Sequence, residues 1–120
     1  MKQLVILLAC LGAACSHANP GTPDTLAQLR AMGSDAACDS DQQCRTVPLG
    51  AKSCGGPEGY LAYSTARTDS AKVAELAERY RKERSAANAR SGMASDCRFI
   101  ADPGAACVAG KCQLGGALDR

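Results

Sequence analysis

The segment Cys97-Arg-Phe-Ile-Ala-Asp-Pro-Gly-Ala-Ala-Cys107-Val-Ala-Gly-Lys-Cys112 constrains what this chain can fold into more than any other. Cys38, Cys44 and Cys54 lie far upstream and need partners, and this stretch can supply all of them. The chain holds eight cysteines. Setting aside Cys10 and Cys15 in the apolar leader leaves Cys38, Cys44, Cys54, Cys97, Cys107 and Cys112, an even set that reads as a disulfide framework in an oxidising compartment. Staples are needed here. Hydrophobic residues make up 46% of the chain, yet many are alanine, and the aromatics are three Tyr and one Phe with no Trp. A core of that kind is thin for one small domain. Each bridge is expected to contribute about 2–4 kcal/mol, comparable to the net stability of such a domain.

Residues 1–18 read as an export signal, with Lys2 as the positive start and Leu4 to Leu11 as the apolar run. That run is too short for a permanent membrane span. Two ends are open. Ser16-His17-Ala18 suits ordinary cleavage after Ala18, leaving Asn19 first. Leu11-Gly12-Ala13-Ala14-Cys15 resembles a bacterial lipobox, with Gly12 standing where that motif usually has Leu. The resemblance implies that Cys15 becomes an acylated first residue, anchored by multiple chains, and Ser16 after it implies the outer membrane. Either end removes or caps the leader cysteines, so no odd thiol remains.

Residues 19–120 then form a single disulfide-rich domain, with a short tether and a frayed tail from Gly115. A first helix is predicted over about 23–32, capped by Thr22 with Pro23 at its first position and stopped by Gly33. A second is predicted over about 69–90. Its stripe of Val73, Leu76, Ala77 and Tyr80 falls at i, i+3, i+4 and i+7. Beyond Tyr80 the stripe fades, and that half of the helix is expected to project into water. Arg45 to Leu49 reads as an edge strand because Pro48 cannot donate to a ladder. Tyr60, Leu61 and Tyr63 read as a patch of core. Arg98 to Ala101 reads as a strand, and Ala106 to Leu114 as a hairpin turning at Ala109-Gly110. The expected class is α+β: two helices with a small antiparallel sheet.

Spacing alone does not fix the disulfide pairing. The hairpin sets Cys107 opposite Cys112 at a non-hydrogen-bonded pair, close enough to bridge. One set is therefore local, 107–112 with 38–44. The other ties Cys38 and Cys44 to Cys107 and Cys112, and loop-closure entropy favours it. In both sets Cys54 pairs with Cys97.

No metal site or cofactor is expected. Only Cys107-x4-Cys112 approaches the spacing of a zinc pair, and there is no C-x-x-C for redox chemistry. Asp39 and Asp41 lack the glycine and distal glutamate of a calcium loop, and read as turn residues. The only histidine, His17, lies at the leader, so no histidine-based triad can form in the body. Glu58, Asp96 and Asp102 are the carboxylates whose convergence would matter. The net charge of +2 includes Lys2, so the body carries no field for nucleic acid, and the aromatic platforms for bases are missing. The basic end of the second helix, interleaved with Glu83, reads as a solvated face. The best candidate for recognition is the loop Cys54-Gly-Gly-Pro-Glu58-Gly-Tyr60, where Glu58 and Tyr60 sit on a chain stapled at one end.

Cys38-x-x-Asp41-x-x-Cys44, then Cys54, a helix, Cys97 and the closing Cys107-x4-Cys112 resemble small exported bacterial cysteine-rich proteins, many of them lipoproteins. The resemblance covers about residues 36–114. It implies compartment and fold and carries no activity with it. The expectation is a non-enzymatic interaction domain of the envelope or periplasm. Its partner would be a protein or envelope component, its membrane contact a lipid anchor on Cys15, and its compartment the outer membrane facing the periplasm, or else soluble periplasm or medium. The alternative is an inhibitor of a peptidase or cell-wall hydrolase presenting the 54–60 loop.

Overall fold

The computed structural model describes residues 24–116. The leader, Cys15, the tether, the Thr22 cap with Pro23, and the last residues of the tail lie outside them. The α+β class holds. Helix α1 (Thr25–Ser34) and helix α2 (Ser70–Ser91) pack beside strands β1 (Cys44–Leu49), β2 (Gly59–Ser64), β3 (Ala105–Val108) and β4 (Lys111–Leu114). The strands form two antiparallel ribbons, β1 with β2 and β3 with β4, in place of one sheet.

Helix α1 starts later than the sequence suggests. Asp24 is its cap, the carboxylate accepting from the Ala27 N–H at 2.7 Å. It also runs past Gly33, which has a different task. A Cβ on Gly33 would lie 2.7 Å from Leu61 Cδ1, 3.0 Å from Leu61 Cγ and 3.1 Å from the Ala62 carbonyl oxygen. Glycine is what lets α1 seat on β2. Gly33→Ala should therefore destabilise despite alanine's roughly 1 kcal/mol better helix propensity, because overpacking costs about 1–3 kcal/mol. Urea unfolding should show a net loss near 1 kcal/mol; a gain would mean that α1 does not approach β2 this closely.

Helix α2 matches its expected bounds. Asp69 caps it, accepting from the Ala71 N–H at 2.9 Å, and Gly92 ends it in the left-handed region at φ 62°. Val73, Leu76 and Ala77 point inward and join Leu29, Val47 and Tyr63 in the first core, with Met32, Leu49, Leu61 and Tyr80 around it. The 60–63 patch proves to be a full strand, and β1–β2 pair from Cys44↔Ser64 to Leu49↔Gly59.

The second core is made of sulfur and small side chains: Ala36, Cys38, Cys44, Ala62 and Cys112. Cys38 is bonded to Cys107 and Cys44 to Cys112, the long-range set. Cys107 and Cys112 do face each other across the β3–β4 ribbon. Their N–H groups point away from one another, as a non-hydrogen-bonded pair requires. The Cys112 N–H donates to the Ala36 carbonyl at 2.8 Å, and the Cys107 N–H donates to the Asp41 carboxylate at 2.8 Å. The C-x-x-D-x-x-C spacing thus has a physical reason. A short 3-10 turn, Asp41–Gln43, sets Asp41 between two bridges, where it satisfies the outer edge of β3. Ser64, fully buried, ties β2 to the same region by donating to the Ala37 carbonyl at 2.6 Å.

Residues 98–101 are not a strand. From Gly92 to Gly104 the chain has no helix, strand, turn or bend. This segment is tied to the body by side chains in place of a ladder, Lys52 holding the Arg98 carbonyl and Tyr60 the Ile100 carbonyl.

Candidate functional site

The loop between β1 and β2 and the segment after α2 are held together by polar bonds and one disulfide. Cys54 and Cys97 are bonded, with Cα atoms 5.3 Å apart, and both residues are exposed. Lys52 lies beside the bridge with its side chain only 11% exposed, and it clamps the segment twice. Its ammonium donates to the Asp96 carboxylate at 2.7 Å and to the Arg98 carbonyl at 2.9 Å. Ser53 Oγ donates to the Met93 carbonyl at 2.9 Å, and Tyr60 OH to the Ile100 carbonyl at 3.2 Å. Further along, the Thr46 hydroxyl meets both oxygens of Asp102 at 2.9 and 2.7 Å.

The back half of α2, expected to stand in water, docks on the same loop through polar groups. Arg84 Nε donates to Glu58 at 2.9 Å, and Asn88 Nδ2 donates to the Ala51 carbonyl at 2.6 Å. Between this helix face, the loop and residues 93–96 lies a cleft of about 500 Å³. Its charged groups already face one another as Lys52–Asp96 and Arg84–Glu58.

Glu58 and Tyr60, the candidate recognition pair, are both half-buried and both act as fasteners. The Glu58 side chain packs against Gly50, where a Cβ would come within 2.8 Å of its carboxyl carbon, and it ends on Arg84. Tyr60 holds the outer segment by its hydroxyl. Glu58, Asp96 and Asp102 do not form a catalytic group; each carboxylate is committed to a different partner, Arg84, Lys52 and Thr46. The sulfurs of Cys38, Cys44 and Cys107 lie within 4.8 Å of one another. All three are in disulfides, and zinc takes the thiolate.

What the sequence reading missed is the product of this scaffolding. Phe99, the only phenylalanine in the chain, is 84% exposed, and Met93 is 74% exposed. These are the large hydrophobic side chains on the outside among the described residues, and one short pinned segment carries both. The available signal was Cys97 itself, since a bridge two residues before an aromatic fixes where that aromatic stands.

The Lys52 clamp has a pH signature. The hydrogen bond from Lys52, helped by the Arg98 N–H, holds the Asp96 carboxyl below its ordinary value. Because the folded value is depressed, the clamp is at full strength above the ordinary aspartate range (~3.9) and is lost as pH falls through the folded value. An NMR titration should place the Asp96 midpoint below the ordinary range, and Lys52→Met should raise it toward that range, with the Arg98 N–H still in place. A midpoint indifferent to that substitution would remove the clamp.

No protein-family model matches this chain, and neither the curated proteins nor the solved structures give a match. No helix among the described residues is long and apolar enough to cross a membrane.

Proposed function

We propose that this chain is an exported, non-enzymatic, cysteine-rich interaction domain of the bacterial envelope or periplasm, tethered to the outer membrane through an acylated Cys15. Its partner is a protein or envelope component met at the segment around Phe99. The observation that carries this reading is the fixed, outward placement of Phe99 on a segment bound to the body at Asp96, Cys97, Arg98, Ile100 and Asp102. A large apolar side chain held in one position loses little entropy when a partner covers it, and such side chains dominate binding energy. The recognition surface therefore moves from the 54–60 loop, whose Glu58 and Tyr60 are internal fasteners, to the segment that this loop supports.

The test is a photo-crosslinking residue at position 99 in the producing host, with position 30, exposed on α1, as control. A discrete adduct at 99, absent at 30 and lost when Cys54 and Cys97 are both replaced by serine, is the expected result. Equal labelling at both positions would contradict it. Intact mass from the same cells addresses the tether: a chain starting at Cys15 with acyl groups is expected, and one starting at Asn19 would make the domain a soluble export.

A further inference from the structure

We propose that residues 98–100 are a preformed, substrate-like edge for a serine peptidase whose primary pocket takes a large apolar side chain, and that Phe99 fills that pocket. The proposal rests on the interaction reading above and names the class of partner.

Three observations carry it. The first is the alternation of anchored carbonyls. The Arg98 carbonyl accepts from Lys52 and the Ile100 carbonyl from Tyr60. In extended chain, groups two residues apart point to the same side. Both of these carbonyls are held to the body, and among the described residues neither the N–H nor the C=O of Phe99 between them has a hydrogen-bond partner. The second is shape. No turn or bend interrupts residues 98–101, and a peptidase cleft receives its substrate as an added strand, with main-chain bonds and a pocket for one side chain. The third is the choice of residue. The carbonyl on the pocket-filling residue must enter the oxyanion hole. Of the three carbonyls at 98, 99 and 100, only that of Phe99 is free to do so. This excludes Arg98, and with it a pocket built for basic side chains.

The same anchoring explains why the segment would resist cleavage. Attack of the serine oxygen on the Phe99 carbonyl carbon would break the bond to the Ile100 nitrogen, which takes up the proton that the serine gave to its histidine. The two new ends stay on one body. Cys97 holds the acyl side through its bridge to Cys54, while Tyr60 and Thr46 hold the amine side. The amine then returns to the acyl carbon, releasing the serine, faster than water replaces it.

The experiment uses the full oxidised chain against chymotrypsin and subtilisin as probes, with trypsin as control. Stoichiometric inhibition of the first two and none of trypsin is expected. Phe99→Ala should weaken it by roughly a hundredfold or more, as for a central anchor, and Phe99→Lys should transfer inhibition to trypsin. Both variants should keep the parent's thermal transition, because the side chain lies outside the core. Selective loss of inhibition in the Cys54→Ser, Cys97→Ser double variant is the second expected readout. Absence of inhibition in micromolar excess, or cleavage after Phe99 as fast as in a linear peptide of residues 95–104, overturns the proposal. If the adduct at position 99 then proves not to be a peptidase, the interaction reading stands without it; if no adduct forms either, both fall.

Discussion

Removing the 38–107 and 44–112 bridges together, by alanine at all four cysteines, is expected to unfold the domain in water at room temperature, whereas removing either one alone is not. The two bridges are interlaced, and their effects are unequal in order. With the 54–97 bridge in place, whichever forms first closes a ring of about 25 residues through it, a denatured-state restriction of about 3.5 kcal/mol. Once it exists, the other closes only the small ring that runs from Cys38 to Cys44 and back from Cys112 to Cys107, about 3 kcal/mol. Loss of the first bridge should therefore cost about 3 kcal/mol and loss of the second about 3.5 kcal/mol. Together they exceed the lower end of ordinary domain stability. Urea unfolding of the two single-bridge variants and the four-alanine variant measures this. A first removal that already unfolds the chain, or a second that costs almost nothing, would contradict the interlaced arrangement.

Leu76→Ala should cost about 3–5 kcal/mol, near the top of the range for leucine truncation. Leu76 is fully buried, and it stands among Leu29, Val47, Tyr63 and Val73. The buried members of the second core are alanine and half-cystine, the latter fixed by their bridges, so they cannot move into the space left behind. Phe99→Ala is the matched control. It removes a larger side chain and should change stability by no more than about 0.5 kcal/mol. Equal losses at the two positions would mean that Phe99 packs inside, and that the presenting segment is wrongly placed.

These cases show which features a sequence carries openly. Helix α2 was legible because Val73, Leu76, Ala77 and Tyr80 repeat at helical spacing between Asp69 and Gly92. The hairpin was legible from Ala109-Gly110, and both residues adopt positive φ, 51° and 77°. Chain entropy favours the long-range disulfide set, while spacing alone leaves the local set open. Strand β2 reads from the sequence only as core, because Tyr60, Leu61, Ala62 and Tyr63 run without alternation. The apolar content of Arg98 to Ala101 suggests a strand, yet the segment is held by the Lys52 and Tyr60 side chains, which leave no periodic trace in the sequence. Arg84 on Glu58 and Asn88 on the Ala51 carbonyl leave no periodic trace, so the docked half of α2 looked solvated. Glu58 and Tyr60 stand in the loop that the sequence singles out, and their bonds to Arg84 and to the Ile100 carbonyl have no sequence signature. They support the segment that presents Phe99.

The fold and the placement of Phe99 depend on three specific bridges, and peptide mapping without reduction tests them most directly. Trypsin separates Cys107, in residues 99–111, from Cys112, in residues 112–120, and leaves Cys38 and Cys44 together in residues 31–45. The expected pattern is a cluster of those three peptides, resolved into 38–107 and 44–112 by cleavage before Asp39 and Asp41, with residues 53–67 joined to residues 91–98. Residues 31–45 released alone, with 99–111 joined only to 112–120, would establish the local pairing and contradict the fold; free thiols at Cys54 and Cys97 would leave Phe99 without its pin.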